Sequence, residues 1–147
     1  PTRSTGRTVT IEPMITAASD GNVSTFAGTA GVVGSADGTG AAASFKNPWA
    51  LAVDSQGNLF VTDSGNYTLR KITPPGVVTT LVGTAGVRTG ANGTGSAASF
   101  YNGPWGIAID SNDNIYVTDA CAIRKVTPAG VVTTFAGQAD VCGSNTY

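Results

Sequence analysis

Short apolar runs, in which every second residue is small or polar, follow one another along the chain. They are rich in Val, Ile, Leu and Thr, and clusters of Gly, Pro, Asn and Asp separate them. Such alternation bounded by turn residues predicts short antiparallel β-strands. In the first half of the chain the predicted strands cover residues 49–54, 59–63, 68–73 and 77–82.

The same order of runs occurs twice. Residues 23–75 align with residues 78–129, and a third copy begins at Val131. Trp49 corresponds to Trp105, 56 positions later. A Gly- and Ala-rich connection, residues 29–46, precedes the strands of the first copy, and we expect it to be an ordered surface loop with one helical turn at residues 41–45. Repetition over whole units indicates an array of similar supersecondary elements.

Four-stranded antiparallel units that recur with Gly- and Asp-rich turns are typical of β-propeller blades. The sequence therefore predicts an all-β chain of about two and a half blades, which is an incomplete ring. The predicted partial blade contributes its last two strands, residues 8–14 and 23–27. The predicted boundaries are a partial blade at 1–28, blades at 29–83 and 84–137, and the start of the next connection at 138–147.

Particular residues in each copy resemble a known repeat family. The segment PWALAVD, which begins at Pro48, and GNLFVTD, which begins at Gly57, resemble the NHL repeat, and the segment that begins at Pro104 repeats this resemblance. The connection AGTAG…DGTG…AxF, residues 27–45, is similar to the long-loop form of bacterial and algal-type extracellular NHL proteins. The resemblance covers residues 23–137 and implies a β-propeller that serves ligand binding, protein interaction or, occasionally, catalysis.

Two blades alone are an unstable arrangement. Propellers close their ring with four to eight blades, and a repeat unit is stable only when neighbouring units bury its apolar faces. Either the chain is part of a longer polypeptide, or copies of it complete one another. A head-to-tail contact between copies forms a ring if it closes and a filament if it does not. Both alternatives remain open from the sequence.

Charge and composition exclude several function classes. The net charge is −1 and the pI is 5.0, so there is no basic field to attract nucleic acid or an anionic membrane surface. No apolar run has the length of a membrane-spanning helix. The sequence contains no histidine, which removes the commonest general base and metal ligand. We therefore expect no catalytic residues, no cofactor and no metal.

The carboxylates fit structural roles. Asp37 begins the segment Asp-Gly-Thr-Gly, which resembles a calcium loop, but one carboxylate cannot supply six to eight oxygen ligands, and Asn92 replaces it in the second copy. Four other carboxylates recur at fixed places, as expected of residues that accept hydrogen bonds from turn amides: Asp54, Asp63, Asp110 and Asp119. The pairs Arg70-Lys71 and Arg124-Lys125 are too few for nucleic-acid binding, and we expect one residue of each pair on either side of its sheet.

Two cysteines, Cys121 and Cys142, both lie in the last copy. Cys121 is predicted at the start of the third strand and Cys142 after the fourth, which places them at the same edge of an antiparallel blade. A disulfide between them would close a 22-residue loop, worth about 3 kcal/mol in the loop-entropy model. It would also indicate an oxidising compartment. The alternative is two buried thiols.

Three N-x-Ser/Thr sequons fall in predicted turns or connections, at Asn22, Asn66 and Asn92. A glycan there could project without disturbing a sheet, provided that the source is a eukaryote. Trp49 and Trp105 each follow a proline at the start of the predicted innermost strand. They either pack between adjacent blades or line a groove for a sugar or peptide.

These features favour a non-enzymatic extracellular module for adhesion, recognition or assembly. Its expected partners are other NHL repeats or copies of itself, in a ring or a fibril, with N-linked glycans and without nucleic acid or membrane insertion. The alternatives are a fragment of a propeller enzyme, similar to an amidating lyase or a lactonase, and the sensor domain of a receptor.

Overall fold

The structure is a computed structural model that describes residues 23–138. Within this range the chain forms two antiparallel sheets of five strands each. The first sheet, which we call the first blade, contains β1 (Gly38–Thr39), β2 (Pro48–Val53), β3 (Leu59–Asp63), β4 (Thr68–Ile72) and β5 (Val77–Val82). The second blade contains β6 (Gly93–Thr94), β7 (Pro104–Ile109), β8 (Ile115–Asp119), β9 (Ala122–Val126) and β10 (Val131–Gly137).

Strands β2 to β5 are hydrogen-bonded neighbours in chain order, and β1 pairs with the outer side of β5. The second blade has the same order from β7 to β10, with β6 beside β10. A register shift interrupts β2 between Pro48 and Leu51, and the equivalent shift occurs in β7. This meander of short strands confirms the predicted all-β class.

The four long strands of the first blade begin and end within one residue of the prediction. Strands β1 and β6 were not predicted. Each contains only two residues and begins with Gly, at Gly38 and Gly93. Two residues cannot show alternation, so their strand character comes from pairing with β5 and β10.

The helical turn predicted at residues 41–45 is a 3₁₀ turn at Gly40–Ala42, and Gly95–Ala97 forms its counterpart. The rest of the predicted turn is not helical, since Phe45 forms a β-bridge with Val33. No strand is formed at residues 23–27 within the described part of the chain. Its predicted partner, residues 8–14, lies outside the described residues, so the partial blade stays a prediction.

Each blade has two faces because successive side chains of a strand point to opposite sides. We call one the leading face, which in the second blade consists of Ile115, Val117, Val126 and Val132. We call the other the trailing face, which in the first blade consists of Phe60, Thr62, Leu69 and Val82. The trailing face of the first blade packs on the leading face of the second and forms the main core, together with Phe100.

Burial in this core is almost complete. Leu69, Val82 and Phe100 have no exposed surface, and neither do Ile115 and Val117. Burying one such side chain is worth about 1.5–3 kcal/mol, so the face-to-face contact between blades is the principal source of stability. Among the described residues, no helix is long and apolar enough to cross a membrane.

Candidate functional site

A buried ion pair occupies the same place in both blades. The Arg70 Nη1 atom donates to Asp63 Oδ2 at 3.0 Å, and Arg124 Nη1 donates to Asp119 Oδ2 at 2.8 Å. All four side chains have no exposed surface. This ion pair was not predicted, although both copies have an aspartate at the end of one strand and an arginine in the next, a repetition that could have indicated it.

Each arginine also holds the preceding connection. Arg70 donates to the carbonyls of Ser44 and Ala36, and Arg124 donates to those of Ser99 and Ala91. The neighbouring lysines are only partly buried, and the Lys71 ammonium lies 5.7 Å from the Phe60 ring centre. The two basic residues of each pair therefore lie on opposite sides of the sheet, as expected. The arginine is buried and binds the carbonyls of the loop, and the lysine is only partly buried.

The carboxylates that recur in the turns accept backbone hydrogen bonds as expected. Asp54 Oδ1 accepts from the amides of Gln56 and Asn58 at 2.9 and 2.8 Å. In the second blade, Asp110 Oδ1 accepts from the amides of Asn112 and Asn114. The side-chain hydrogen bond from Asn114 is the largest cause of a lowered pKa at Asp110. These groups shape the turn between the first two long strands of a blade.

The segment that begins at Asp37 is a structural turn. Asp37 Oδ1 accepts from Arg70 Nη2 at 2.8 Å, and its carboxylate also accepts from the amide and hydroxyl of Thr80. Partial burial raises the pKa of Asp37, but the hydrogen bonds from Thr80 and Arg70 outweigh it, so the pKa lies below its ordinary value. The carboxylate thereby connects the loop to the buried arginine and to β5.

The two tryptophans contact each other across the blades. Their ring centroids are 4.9 Å apart in an edge-to-face arrangement, and Trp49 is 67% exposed while Trp105 is 39% exposed. The structure therefore shows packing between adjacent blades, and both rings retain a surface. Whether that surface also receives a sugar or peptide stays a prediction.

Three polar contacts that involve side chains accompany the apolar interface between the blades. The Thr62 hydroxyl donates to the Trp105 carbonyl at 2.9 Å. The Ser64 hydroxyl donates to the carbonyl of Pro104. The third contact is between the turns, where the Ser55 amide and hydroxyl donate to the two carboxylate oxygens of Asp113 at 2.9 and 2.6 Å.

Asp113 is adapted to this contact. It has a φ of +60°, a left-handed conformation that Asp and Asn tolerate better than most residues. The hydrogen bonds from the Ser55 hydroxyl and amide hold the pKa of Asp113 below its ordinary value. In the first blade, Gly57 occupies the equivalent position with a φ of +81°. The two blades thus share a turn, but only the second has a carboxylate at this position.

The outer faces of the pair are less buried than their inner equivalents. On the leading face of the first blade, Leu51 and Val53 are 62% and 53% exposed, and a satellite cluster of Ala43, Ile72 and Val78 packs with Ala27 and Phe45. On the trailing side of the second blade, Ile123 is 39% exposed, whereas its equivalent Leu69 is fully buried. Tyr116, Thr118 and Ile123 line a groove of about 280 Å³ there.

The remaining predicted site residues are the two cysteines and the asparagines of the sequons. Cys142 and Asn22 lie outside the described residues, so the disulfide to Cys121 stays a prediction. Asn66 is buried, and its side-chain nitrogen donates to the Gly34 carbonyl and to Asp63, at 2.7 Å each. The structure therefore argues against a glycan on Asn66, because the nitrogen that would carry it is enclosed.

Asn92 differs from Asn66 in its exposure. It is exposed, and its Oδ1 atom accepts from Arg124 Nη2 at 2.9 Å and from the Thr134 hydroxyl at 3.3 Å. Both contacts use the side-chain oxygen, and a glycan on the nitrogen stays a prediction. Within residues 23–138, no group of three His, Cys, Asp or Glu side chains could hold a metal ion.

Two four-stranded meanders, each with a short outer strand, are stacked face to face. This arrangement defines the class: the chain consists of β-propeller blades. The family model for the NHL repeat matches residues 45–72, and that for the teneurin NHL domain matches residues 85–146. The chain belongs to the NHL-repeat family of β-propeller proteins.

Solved structures of Bacteroides proteins share the fold. A structural-genomics protein of unknown function from Bacteroides thetaiotaomicron is 31% identical over 63% of this chain and 24% of its own, with a TM-score of 0.57. An auxiliary nutrient binding protein from Bacteroides ovatus is 24% identical over 76% of this chain and 28% of its own, with a TM-score of 0.57.

A second auxiliary nutrient binding protein, from Bacteroides thetaiotaomicron, is 24% identical over 64% of this chain and 25% of its own, with a TM-score of 0.54. At this identity the two nutrient binding proteins show the fold alone. The chain spans about a quarter of the length of these structures. Among curated proteins, none matches the sequence significantly.

Proposed function

We propose that this chain is a non-enzymatic, extracellular structural and interaction module of an NHL-type β-propeller, completed on its outer faces by further blades. The observation that carries the proposal is the mismatch between inner and outer faces. The same repeat positions are buried between the two blades and exposed at the ends of the pair.

Residues at the same repeat position in the two blades differ in their exposure. Thr62 is fully buried and donates across the interface, whereas Thr118, its equivalent in the second blade, is exposed. Ile107 is partly buried against the first blade, but its equivalent Leu51 is 62% exposed. A repeat unit buries its faces only against neighbouring units, so these surfaces are fitted for more blades.

The charged residues support a structural role for the module. Each buried arginine is neutralised by an aspartate and holds a loop of its own blade, and the arrangement occurs in both copies. A catalytic group needs to be present once, in a single cleft, and to contact a substrate. Groups that are repeated, buried and engaged in loop contacts behave as parts of a scaffold.

Two observations and one prediction support the extracellular location. The second copy matches the teneurin NHL domain model. The sequon residue Asn92 is exposed. The predicted Cys121–Cys142 disulfide would require an oxidising compartment.

The exposed faces can be tested with an extrinsic dye that fluoresces on apolar protein surface. We expect the purified chain to bind the dye, and Ile123→Lys and Leu51→Lys each to reduce the signal because they place a charge on an outer face. Val87→Lys is the matched control, since Val87 is 42% exposed on the connection, away from both faces. The proposal fails if the chain binds no dye, or if all three variants bind as the natural sequence does.

The enzyme alternative makes a different prediction. A propeller lactonase or lyase would assemble its site from inward residues of several blades. Metal analysis of the purified chain, and activity assays on lactones and on precursors of amidated peptides, therefore test that alternative directly. A stoichiometric metal or turnover would overturn the non-enzymatic assignment.

A further inference from the structure

The contacts between the two blades indicate which kind of blade follows the second one. Three polar contacts that involve side chains accompany the existing interface, and each has a donor on the trailing side and an acceptor on the leading side. The donors on the trailing side of the second blade therefore determine which hydrogen-bond acceptors a following blade needs.

Two of the three donor positions are present on the second blade. Ser111 is equivalent to Ser55, is exposed, and has no acceptor for its amide or hydroxyl among residues 23–138. Thr118 is equivalent to Thr62 and accepts from the Gly106 amide at 2.8 Å. Its hydroxyl proton lacks the cross-blade carbonyl that Thr62 finds at Trp105.

The third donor is absent from the second blade. Ser64 lies in a 3₁₀ turn, Ser64–Asn66, between β3 and β4. The corresponding turn of the second blade contains only Ala120 and Cys121, so no hydroxyl occupies this place. A blade that docks there is therefore recognised through Ser111 and Thr118.

The first blade of this chain supplies only one of the two matching acceptors. Trp49 offers a carbonyl equivalent to that of Trp105, but Gly57 has no side chain where Asp113 has a carboxylate. A second copy stacked head to tail on the second blade would thus leave Ser111 facing Gly57. The existing interface places a charge-assisted hydrogen bond at this point, which is stronger than a neutral one.

We propose that the trailing face of the second blade is a docking surface for a distinct NHL-type blade, one with a carboxylate at the turn position of Asp113, and not for another copy of this chain. The inference rests on the proposed function and specifies the partner. The docking blade would place its carboxylate on the Ser111 amide and hydroxyl. It would place its first long strand over the groove lined by Tyr116, Thr118 and Ile123.

The proposal predicts that a carboxylate added to the first blade will allow copies to stack. The variant is Gly57→Asp, for which Asp113 shows that the left-handed turn accepts an aspartate. The matched control is Gln56→Asp, which adds the same charge one residue away at an exposed position. Gly57→Asn serves as a second variant, because its carboxamide oxygen is an acceptor without charge.

Sedimentation velocity over a range of concentrations measures self-association of each full-length chain. We expect Gly57→Asp to self-associate about tenfold or more tightly than the natural chain, as one charge-assisted contact allows. Gly57→Asn should give a smaller gain and Gln56→Asp none. The thermal midpoint of each variant, followed by circular dichroism, reports whether the fold is retained.

Two results would overturn the inference. One is a natural chain that stacks as tightly as Gly57→Asp. The other is a folded Gly57→Asp or Gly57→Asn that associates no more tightly than Gln56→Asp. Loss of dye binding in Ile123→Lys alongside either result would leave the proposed function standing and remove only the partner assignment. A chain whose outer faces bind no dye would remove both.

Discussion

Asn92 occupies in the second blade the position that Asp37 occupies in the first, and each accepts a hydrogen bond from the buried arginine of its own blade. The Arg70 Nη2 to Asp37 Oδ1 distance is 2.8 Å, and the Arg124 Nη2 to Asn92 Oδ1 distance is 2.9 Å. A carboxylate and a carboxamide thus hold the arginine in the same way, because each presents an oxygen that accepts its hydrogen bond. They differ in charge, and therefore in how the two blades respond to pH.

The Asp37 position gives one prediction about pH. The pKa of Asp37 in the folded chain lies below its ordinary value of 3.8, so its ionised form adds stability that is present above that value. This stability is lost as the pH falls through the lower folded pKa. We expect Asp37→Asn to destabilise the chain at pH 7 and to have less effect well below pH 3.8.

Urea denaturation at both pH values measures this difference. The matched variant is Asn92→Asp, which should add a pH-dependent contribution in the second blade, of about 1 kcal/mol or less at a partly exposed site. An effect of Asp37→Asn that is the same at both pH values would contradict the proposed charge pairing.

Arg124 provides a test of the buried ion pair. Arg124→Met leaves Asp119 buried without its cation, which costs about 3–5 kcal/mol. The free energy of unfolding from urea denaturation measures this cost. Arg88→Met is the control, since Arg88 is exposed and a surface substitution of this kind usually changes stability by about 0.5 kcal/mol or less. Equal effects of the two substitutions would show that the pair does not hold the blade.

The tryptophan contact predicts a coupling between the blades. In a double-mutant cycle with Trp49→Ala and Trp105→Ala, we expect a coupling energy of about 0.5–1.5 kcal/mol, which is typical of an edge-to-face aromatic pair. Strict additivity of the two single substitutions would mean that the rings contribute only independent burial.

The sequons predict a difference between two sites when the chain is secreted from eukaryotic cells. Asn92→Gln should remove one glycan from the intact mass, because the Asn92 side chain is exposed. Asn66→Gln should leave the number of glycans unchanged, because the Asn66 amide is buried and bonded to Asp63 and Gly34. Enzymatic deglycosylation followed by mass measurement checks both, and a glycan on Asn66 would show that the modification precedes burial.

The cysteines predict a loop closure. We expect alkylation of the unreduced, denatured chain to modify neither Cys121 nor Cys142, and alkylation after reduction to modify both. Peptide mass mapping would locate the bridge. Two alkylated cysteines in the unreduced chain would refute the disulfide.

Much of the local structure follows from residues close together in the chain. The strands Leu59–Asp63 and Val77–Val82 begin and end where the alternation and the turn residues place them. Residues 23–27 alternate like a strand but form none in the described range, and alternation alone does not supply the partner that a strand requires. The short outer strand Gly38–Thr39 was not predicted for the related reason that its partner, β5, lies far along the chain.

The sequence by itself determined the repeat, the strands and hence the propeller class, because period-two alternation and turn chemistry are local properties that are read within a few residues. Only the tertiary structure decided which polar residues connect distant loops and neighbouring blades. Arg70 and Asp37 are 33 positions apart, and Ser55 and Asp113 are 58 apart. Contacts at such separations depend on how loops fold over a blade and how blades stack, and no local pattern along the chain encodes them.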